Sequence, residues 1–393
     1  MKMRWRCVFT LALSVFLPAA VAGAPFVPAD DGEVLERLPD RNTAQYRELK
    51  RLQAAAAAAP SHVVEAIALA NAYYRISRTE GDPRFLGYAQ AALMPWWNDA
   101  QPPTAVLVMR ATILQSNHEF DRALEDLSRT IAREPRNARA LLLRASILTA
   151  QGKYDEARAD CERSQGLAPD LNIVACLAAI EALTGHARLA SMALERSRAA
   201  VANVPADARA WIESLLGEIA QRQDDPAAEK HFRAALAADP HDLYTVAGYC
   251  DWLLDHERAA EVIPLVERHQ RVDALLLRLA LAQKALGRAE AEATLATLHA
   301  RFDASRARGD NVHRREEARF RLHAEGDAPL ALKLAQENWT VQREPADLRI
   351  LAEAAVAAGD MGALDTVREW LTHTGLEYET VRALLKRESA GRR

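Results

Sequence analysis

The sequence predicts an all-α protein, arranged as a right-handed superhelical solenoid of about nine helical hairpins. Composition gives the first indication. Half of the 393 residues are hydrophobic but only 6% are aromatic, and the chain is rich in Ala, Leu, Arg and Glu, which lose little rotamer freedom in a helix. The second indication is that similar residues recur 34 positions apart. A fixed period of this length is typical of helical repeat arrays.

The charges of the chain are nearly balanced, with 50 Lys and Arg against 54 Asp and Glu, for a net charge of −4. Proteins that bind nucleic acids normally present a basic face, so we expect no nucleic-acid partner. The apolar content is also too high for a disordered chain.

The first residues have the layout of a secretory signal peptide. Three basic residues precede an apolar stretch at 7–17, which is followed by small residues at 18–24. Ala20 and Ala22 fit the A-x-A cleavage pattern, and we predict cleavage after Ala22. An uncleaved anchor is the alternative, although the apolar stretch is short for a membrane span.

No later stretch contains 18 uninterrupted apolar residues, so we expect no transmembrane segment in the mature chain. The expected location is outside the cytoplasm, in the periplasm. Three cysteines, Cys161, Cys176 and Cys250, would remain after cleavage. An odd number cannot all pair within one chain, and cysteine is often buried as a thiol, so buried thiols are the simplest expectation.

Composition divides the chain into four segments. These are the signal peptide at 1–22, an N-terminal extension at 23–60, the repeat array at 61–385 and a basic, frayed tail at 386–393. The extension is predicted to contain a short helix from about Thr43. Ser61 is the expected N-cap of the first helix of the array.

Two stretches match one another at four key positions. The matching pairs are Ala111 and Ala145, Phe120 and Tyr154, Ala123 and Ala157, and Pro135 and Pro169. Small residues at the first and third pairs would let the two helices of a hairpin cross closely. The aromatic residue would fill the space between hairpins, and the proline would end the second helix.

This pattern resembles the tetratricopeptide repeat, which has these residue types at positions 8, 17, 20 and 32 of each unit. The two matching units begin at Thr104 and Ala138, and looser ones at Asn172 and Arg209. Residues 338–347 look like the closing repeats of secreted bacterial tetratricopeptide proteins of unassigned role. The resemblance implies a scaffold that binds a protein or peptide and implies no catalytic activity.

Turns predicted near the C-terminus support the same architecture. Gly326-Asp327 and Gly359-Asp360 mark inter-helix turns 33 residues apart, with Pro345 between them. The alternative fold, an α/α toroid of longer helices closed into a ring, would lack the 34-residue period.

The resemblance also implies that positions 2, 5, 9, 12 and 13 of each first helix line a concave groove. Carried onto this sequence, the candidate groove residues are Val108, Thr112, Gln115, Arg139, Leu142, Ser146, Cys176, Ile180, Leu183 and Glu213. Arg139 is the only cation at the groove positions of these units. The predicted groove is therefore neutral and partly apolar, which departs from the family's cationic clamps for peptide C-termini. Packing within a tightly wound superhelix is the alternative role of these residues.

The two frames separate Cys161 from Cys176. Cys161 falls at an inward position of a second helix and Cys176 at the central groove position of the next first helix. Side chains placed in this way would not point at each other, as a disulfide requires. The sequence therefore predicts that Cys176 is a free thiol in the groove.

The sequence holds no H-E-x-x-H, P-loop, G-x-G-x-x-G or G-x-S-x-G motif, so we predict no catalytic residues, no metal site and no cofactor. The charged run at 313–317 is predicted to be a solvated, ion-paired helix face. Trp96 and Trp97 are expected to cap the core of the first repeats; a carbohydrate-stacking platform is the alternative.

The functional prediction is a non-catalytic scaffold, exported to the cell envelope, that binds a protein or peptide partner. An accessory factor for envelope assembly or polysaccharide export is the first alternative. The second is an enzyme built from α-helical hairpins, which would require acidic residues converging in one cleft.

Overall fold

A computed structural model describes Asp30, Gly32, residues 43–309 and residues 314–391. The predicted signal peptide, its cleavage site and His313 lie outside the described residues. The chain divides into two compact parts, with the boundary between Arg47 and Glu48. Helix α1 runs from Ala44 to Ala58, close to the start predicted from the sequence. In the described ranges, none of the helices combines the length and apolar character needed to span a membrane.

Nine helical hairpins follow α1 in the described part of the chain, and we call them units 1 to 9. Their helices are α2 Val63–Glu80 and α3 Arg84–Ala92; α5 Thr104–Ser116 and α6 Phe120–Arg133; α7 Ala138–Ala150 and α8 Tyr154–Arg163; α9 Asp170–Glu181 and α10 Ala187–Ala199; α11 Ala206–Arg222 and α12 Ala227–Ala238; α13 Leu243–Asp255 and α14 Ala259–Val266; α15 Asp273–Ala285 and α16 Ala291–Ala307; α17 Arg314–Phe320 and α18 Ala328–Trp339; α19 Pro345–Ala358 and α20 Met361–Thr374.

Three further elements complete the array. The short helix α4, Met94–Trp97, follows unit 1, and a π-helical turn, Arg321–Glu325, extends α17. Helix α21, Glu379–Gly391, is the last helix of the described residues and continues past Lys386, the predicted start of the basic tail. Every regular element in the described ranges is helical, which confirms the all-α solenoid prediction.

The nine hairpin turns share one backbone feature. Each contains a residue in the left-handed region, with φ between 57° and 83°: Gly81, His118, Gly152, Gly185, Asp224, Glu257, Gly287, Gly326 and Gly359. In the frames that begin at Thr104 and Ala138 this residue is position 15. Glycine adopts such a backbone without strain, whereas a side chain makes it costly.

The small residues predicted at the helix crossings are buried. Ala111 is fully buried and Ala145 is 1% exposed. A buried ion pair repeats beside them: Arg110 donates to Asp126 through two hydrogen bonds of 2.6 Å, and Arg144 donates to Asp160 at 2.6 and 2.8 Å. The 34-residue repeat therefore includes a salt bridge between the two helices of units 2 and 3.

The last units pack back onto the hairpin turns of earlier ones. The Arg343 backbone N–H donates to the Ala150 carbonyl at 2.7 Å, and Gly152 lies so close to the Trp370 indole that a Cβ there would collide with it. One unit further along, a Cβ on Gly185 would lie 3.2 Å from the Gly375 carbonyl oxygen. Units 3 and 4 thus share a hydrophobic core with units 8 and 9.

Unit 1 makes a comparable contact. A Cβ on Gly81 would collide with Val272, which precedes α15, and Arg78 pairs with Asp242 at 3.6 Å. The turns at Gly81, Gly152 and Gly185 therefore each meet a segment several units later in the chain. The array within residues 48–391 winds back on itself with its successive windings in contact.

Two local predictions are wrong. The first helix of unit 1 begins at Val63 with His62 as its N-cap, so Ser61 does not cap it. The charged run is not a solvated face, because Glu316 and Glu317 are 5% and 4% exposed. The predicted cap is confirmed, since Trp97 is buried in the core of the first units.

Replacing Ala145 with Leu should overpack the helix crossing of unit 3 and lower the free energy of unfolding by about 1–3 kcal/mol. Ser146 is exposed on the same helix, so Ser146→Leu should change stability by less than about 0.5 kcal/mol. Urea denaturation of both variants measures the difference. Equal stabilities would contradict the packing described for this crossing.

Replacing Glu257 with Gly should raise the free energy of unfolding by up to about 1 kcal/mol, because Glu257 has φ of 59° and glycine removes the Cβ strain. Ala260→Gly is the matched control, since Ala260 is exposed in the helix that follows. There glycine should cost about 0.5–1 kcal/mol. If the turn geometry is right, thermal unfolding should show a raised melting temperature for Glu257→Gly and a lowered one for Ala260→Gly.

Candidate functional site

The left-handed turn residues align the first helices of all nine units and so define their concave positions. Gly185 follows Gly152 by 33 residues, so unit 4 begins at Leu171 and not at Asn172. Asp224 places the start of unit 5 at Ala210 and not at Arg209. Gly217 then occupies position 8, where a Cβ would lie 2.9 Å from the Phe232 ring. The close helix crossing of unit 5 is therefore at Gly217.

Units 2 and 3 keep the register predicted from the sequence. Val108 and Thr112 are buried, Leu142 is partly buried, and Ser146 is exposed. The Gln115 amide donates to the Ser146 hydroxyl at 3.4 Å, which brings two predicted groove residues of adjacent units together. The exposed Arg139 donates to Asn71 of unit 1 at 3.3 Å. These contacts place one continuous strip of side chains across units 1 to 3.

The groove assignments in unit 4 are wrong by one residue. Cys176 is joined to Cys161 of unit 3 by a disulfide with a Cα–Cα distance of 6.0 Å, so it is not a free groove thiol. Ile180 is fully buried at the position equivalent to Ile147. Leu183 still falls at a groove position, but it is buried in the core shared with units 8 and 9.

Glu213 is also wrongly assigned to the groove. It is 3% exposed, forms an ion pair with Arg198 of unit 4, and lies 2.8 Å from Nδ1 of His231 on its own second helix. The frame from Arg209 fits the second helix of unit 5, but Ala228 follows the left-handed residue of its turn by four positions, whereas Ala123 and Ala157 follow theirs by five. The first helix is consequently rotated by one position.

The corrected register reveals four concave side chains that sequence reasoning missed. Trp211, Glu218 and Arg222 fall at positions 2, 9 and 13 of unit 5, and Tyr244 at position 2 of unit 6. Trp211 is 44% and Tyr244 56% exposed. Burial raises the pKa of Glu218 to about 7, against the effect of Arg222 and a hydrogen bond with Tyr244. The nearby Glu218 carboxylate in turn raises the pKa of Tyr244 well above its usual value.

Ion pairs fill the concave face of units 6 to 9. Asp251, at position 9 of unit 6, accepts hydrogen bonds from Arg278 at 2.6 Å and Arg319 at 2.9 Å. Although burial opposes it, these two arginines lower the pKa of Asp251 to about 2. Asp255 binds both terminal nitrogens of Arg349 at 2.6 and 2.7 Å, across three units. First helices therefore face each other directly in this half.

The mispredicted charged run belongs to the same network. Glu316 accepts from Arg278 at 2.9 Å, and Arg315 reaches Glu344 at 3.2 Å. Asp347 is 1% exposed and accepts from the Asn338 amide at 2.9 Å. Burial raises the pKa of Asp347 to about 7. These charges hold units 7, 8 and 9 together.

The described residues offer little for chemistry. They contain no group of three His, Cys, Asp or Glu side chains able to hold a metal ion. Cys250 is fully buried, and burial raises the pKa of its thiol to about 12, so it is not a nucleophile at neutral pH. What the arrangement can do is present side chains on the concave face of the first five units.

Removing the Cys161–Cys176 disulfide should cost about 3 kcal/mol of unfolding free energy, since the bond closes a segment with a sequence separation of 15 residues. We expect a reductant to lower the melting temperature of the natural chain. The Cys161→Ala/Cys176→Ala variant should be less stable and should not respond to the reductant. A natural chain that also fails to respond would contradict this pairing.

Replacing Glu218 with Gln should stabilise the protein at pH 8 by about 1–3 kcal/mol and change little at pH 4.5. The folded pKa of Glu218 is raised, so the folded state binds the extra proton. The stability of the natural chain should therefore fall as pH rises from 4.5 through 7. Melting temperatures across this range test the effect, with the exposed Glu156→Gln as a control that should follow the natural chain.

Comparison with known proteins gives one family match. A model of the tetratricopeptide repeat matches residues 108–172. No curated protein matches the chain.

Several solved structures are similar to the chain at low identity. The APC/C hetero-tetramer Cut9–Hcn1 is 15% identical, covering 83% of this chain and 52% of that one, with a TM-score of 0.41. A tetratricopeptide repeat protein from Parabacteroides merdae is 12% identical, covering 79% and 99%, with a TM-score of 0.36. Yeast Tom70 is 13% identical, covering 83% and 62%, with a TM-score of 0.41.

The chain spans about half the length of the Cut9–Hcn1 chain that it matches. The family match covers units 2 and 3, whose register the sequence predicts correctly. It confirms the resemblance seen in the sequence for this part of the chain: residues 108–172 match the tetratricopeptide repeat.

Proposed function

We propose that this protein is an exported, non-catalytic scaffold that binds a protein or peptide through the concave face of units 1 to 5. The observation that carries the proposal is the difference between the two halves of that face. Side chains in units 6 to 9 are paired with one another, as Asp255 is with Arg349. In unit 3, Arg139 and Ser146 are exposed on the same face.

The repeat fold is typical of interaction scaffolds, in which each unit buries its apolar face against its neighbours and leaves a concave surface for a partner. Exposed polar groups beside partly buried apolar ones, such as Ser146 beside Leu142, suit an extended peptide. The proposed surface differs from the groove predicted from the sequence, because in the corrected register of unit 5 Glu213 leaves the concave positions and Trp211, Glu218 and Arg222 occupy them.

Two features support export. The N-terminal residues have the signal-peptide layout described above, and Cys161 and Cys176 form a disulfide. Disulfides persist mainly in oxidising compartments such as the periplasm. The mature protein is proposed to begin at Gly23 and to act in the cell envelope.

Site-specific photocrosslinking in the native host tests the proposed surface. A photoreactive amino acid at Ser146 should crosslink one defined protein in the envelope fraction. The same group at Glu162, which is exposed on the second helix of unit 3, is the matched control and should not. N-terminal sequencing of the purified protein should give Gly23.

Binding through the concave face and export can each be contradicted by a separate result. Equal crosslinking from both positions, or none from Ser146, would contradict a binding role for the concave face. An intact N-terminus in a cytoplasmic fraction would contradict export and leave the binding proposal standing.

A further inference from the structure

We infer that the concave face of units 1 to 5 selects an acidic, extended peptide segment, reading side-chain carboxylates and not the chain terminus. This inference rests on the proposed function and specifies the partner. The surface is defined by positions 2, 5, 9, 12 and 13 of the first helices of units 1 to 5, together with Tyr244 at position 2 of unit 6. We call it the open strip.

The charge of the open strip is opposite to that of the whole chain. With Gly81 at position 15, unit 1 contributes Arg75 and Arg78. Unit 3 contributes Arg139, and unit 5 contributes Arg222 together with Glu218. Arg222 is only 7% exposed, so the exposed positive charge of the strip comes from Arg75, Arg78 and Arg139, whereas the complete sequence has a net charge of −4. A cationic strip within an anionic protein favours an anionic partner through electrostatic complementarity.

Two of these arginines are available for a ligand. Arg75 and Arg139 are exposed. Arg51 and, to a lesser degree, Arg75 lower the pKa of the Glu48 carboxyl of α1, so Arg75 lies near Glu48 but forms no salt bridge with it. Arg139 donates to the neutral Asn71 amide. Arg78 pairs with Asp242 at 3.6 Å and keeps 57% of its side chain exposed. The guanidinium group can hold a carboxylate through two hydrogen bonds, which makes arginine well suited to this recognition.

The two exposed aromatic residues indicate an extended ligand. Trp211 and Tyr244 occupy the same repeat position in consecutive units, so their helices lie about 8–10 Å apart. An extended chain advances about 3.1–3.4 Å per residue, so about every third residue would meet an aromatic ring. Tyr244 lies close to Glu218, whose carboxylate raises the pKa of the Tyr244 hydroxyl, so this ring lies beside the charged residues of unit 5.

The other half of the concave face cannot serve the same purpose. Its arginines are already bound to carboxylates: Arg278 and Arg319 hold Asp251, and Arg349 holds Asp255. An acidic ligand would have to displace these partners. The open strip is therefore the part of the concave surface where the addition of carboxylates is favourable.

Selection from a library of random peptides displayed internally, with no free C-terminus, tests the inference. On the full mature protein we expect sequences enriched in Asp and Glu, with apolar residues between them. On the Arg75→Glu/Arg139→Glu variant this enrichment should be lost: the number of acidic clones recovered should fall by at least about tenfold. The control variant Arg188→Glu/Lys230→Glu changes the net charge equally at exposed positions of second helices, and should retain the enrichment.

Circular dichroism should show equal helicity for all three proteins, because the four substituted side chains are exposed. A neutral or basic consensus would overturn the acidic preference. If that consensus is lost when a bulky group is attached to the Ser146→Cys variant, the peptide-binding proposal still holds. An acidic consensus retained by the Arg75→Glu/Arg139→Glu variant would overturn the assignment to the open strip. Recovery of no peptide would contradict both proposals.

Discussion

The structure depends on one backbone constraint, a left-handed residue at the same place in each of the nine hairpin turns. This residue follows the end of the first helix at a constant place in the turn, so it marks which face of each first helix points inward. Six of the nine are glycine, and His118, Asp224 and Glu257 keep the conformation in the other three. The shape of the repeat is therefore retained where its most permissive residue is absent, and tertiary packing maintains the strained turns.

The same turns allow the array to wind back on itself. Gly152 and Gly185 let Trp370 and Gly375 approach to contact distance, which brings units 8 and 9 against units 3 and 4. This contact buries Ile180 and Leu183 in a core shared by distant units. Once the windings touch, first helices of the later units face one another, and their charges pair. The concave surface is thereby divided into a half whose charges pair with one another and a half in which Arg75, Arg139, Trp211 and Tyr244 remain exposed.

Sequence reasoning predicted the elements that rest on local rules. The small and aromatic residues of units 2 and 3 gave their register correctly, and the Gly–Asp pairs at 326–327 and 359–360 marked real turns. Errors arose where spacing changes by one residue. Unit 3 is one residue shorter than unit 2, and Ala228 follows Asp224 by one residue fewer than Ala123 follows His118, so Cys176 and Glu213 were placed on the wrong face. The burial of Glu316 could not be predicted, because its partner Arg278 lies 38 residues away in another unit.

The central feature of the structure is the return of the last units onto units 3 and 4. The most direct test is the distance between the turn of unit 3 and the second helix of unit 9. Spin labels at Lys153 and Glu369, both exposed and next to the contacting Gly152 and Trp370, permit this measurement by pulsed electron resonance. The account predicts one narrow, short distance, about the width of two packed helices, or ~20 Å. An open array, with six steps of about 8–10 Å between the two units, would give a broad distribution near 50 Å and would contradict it.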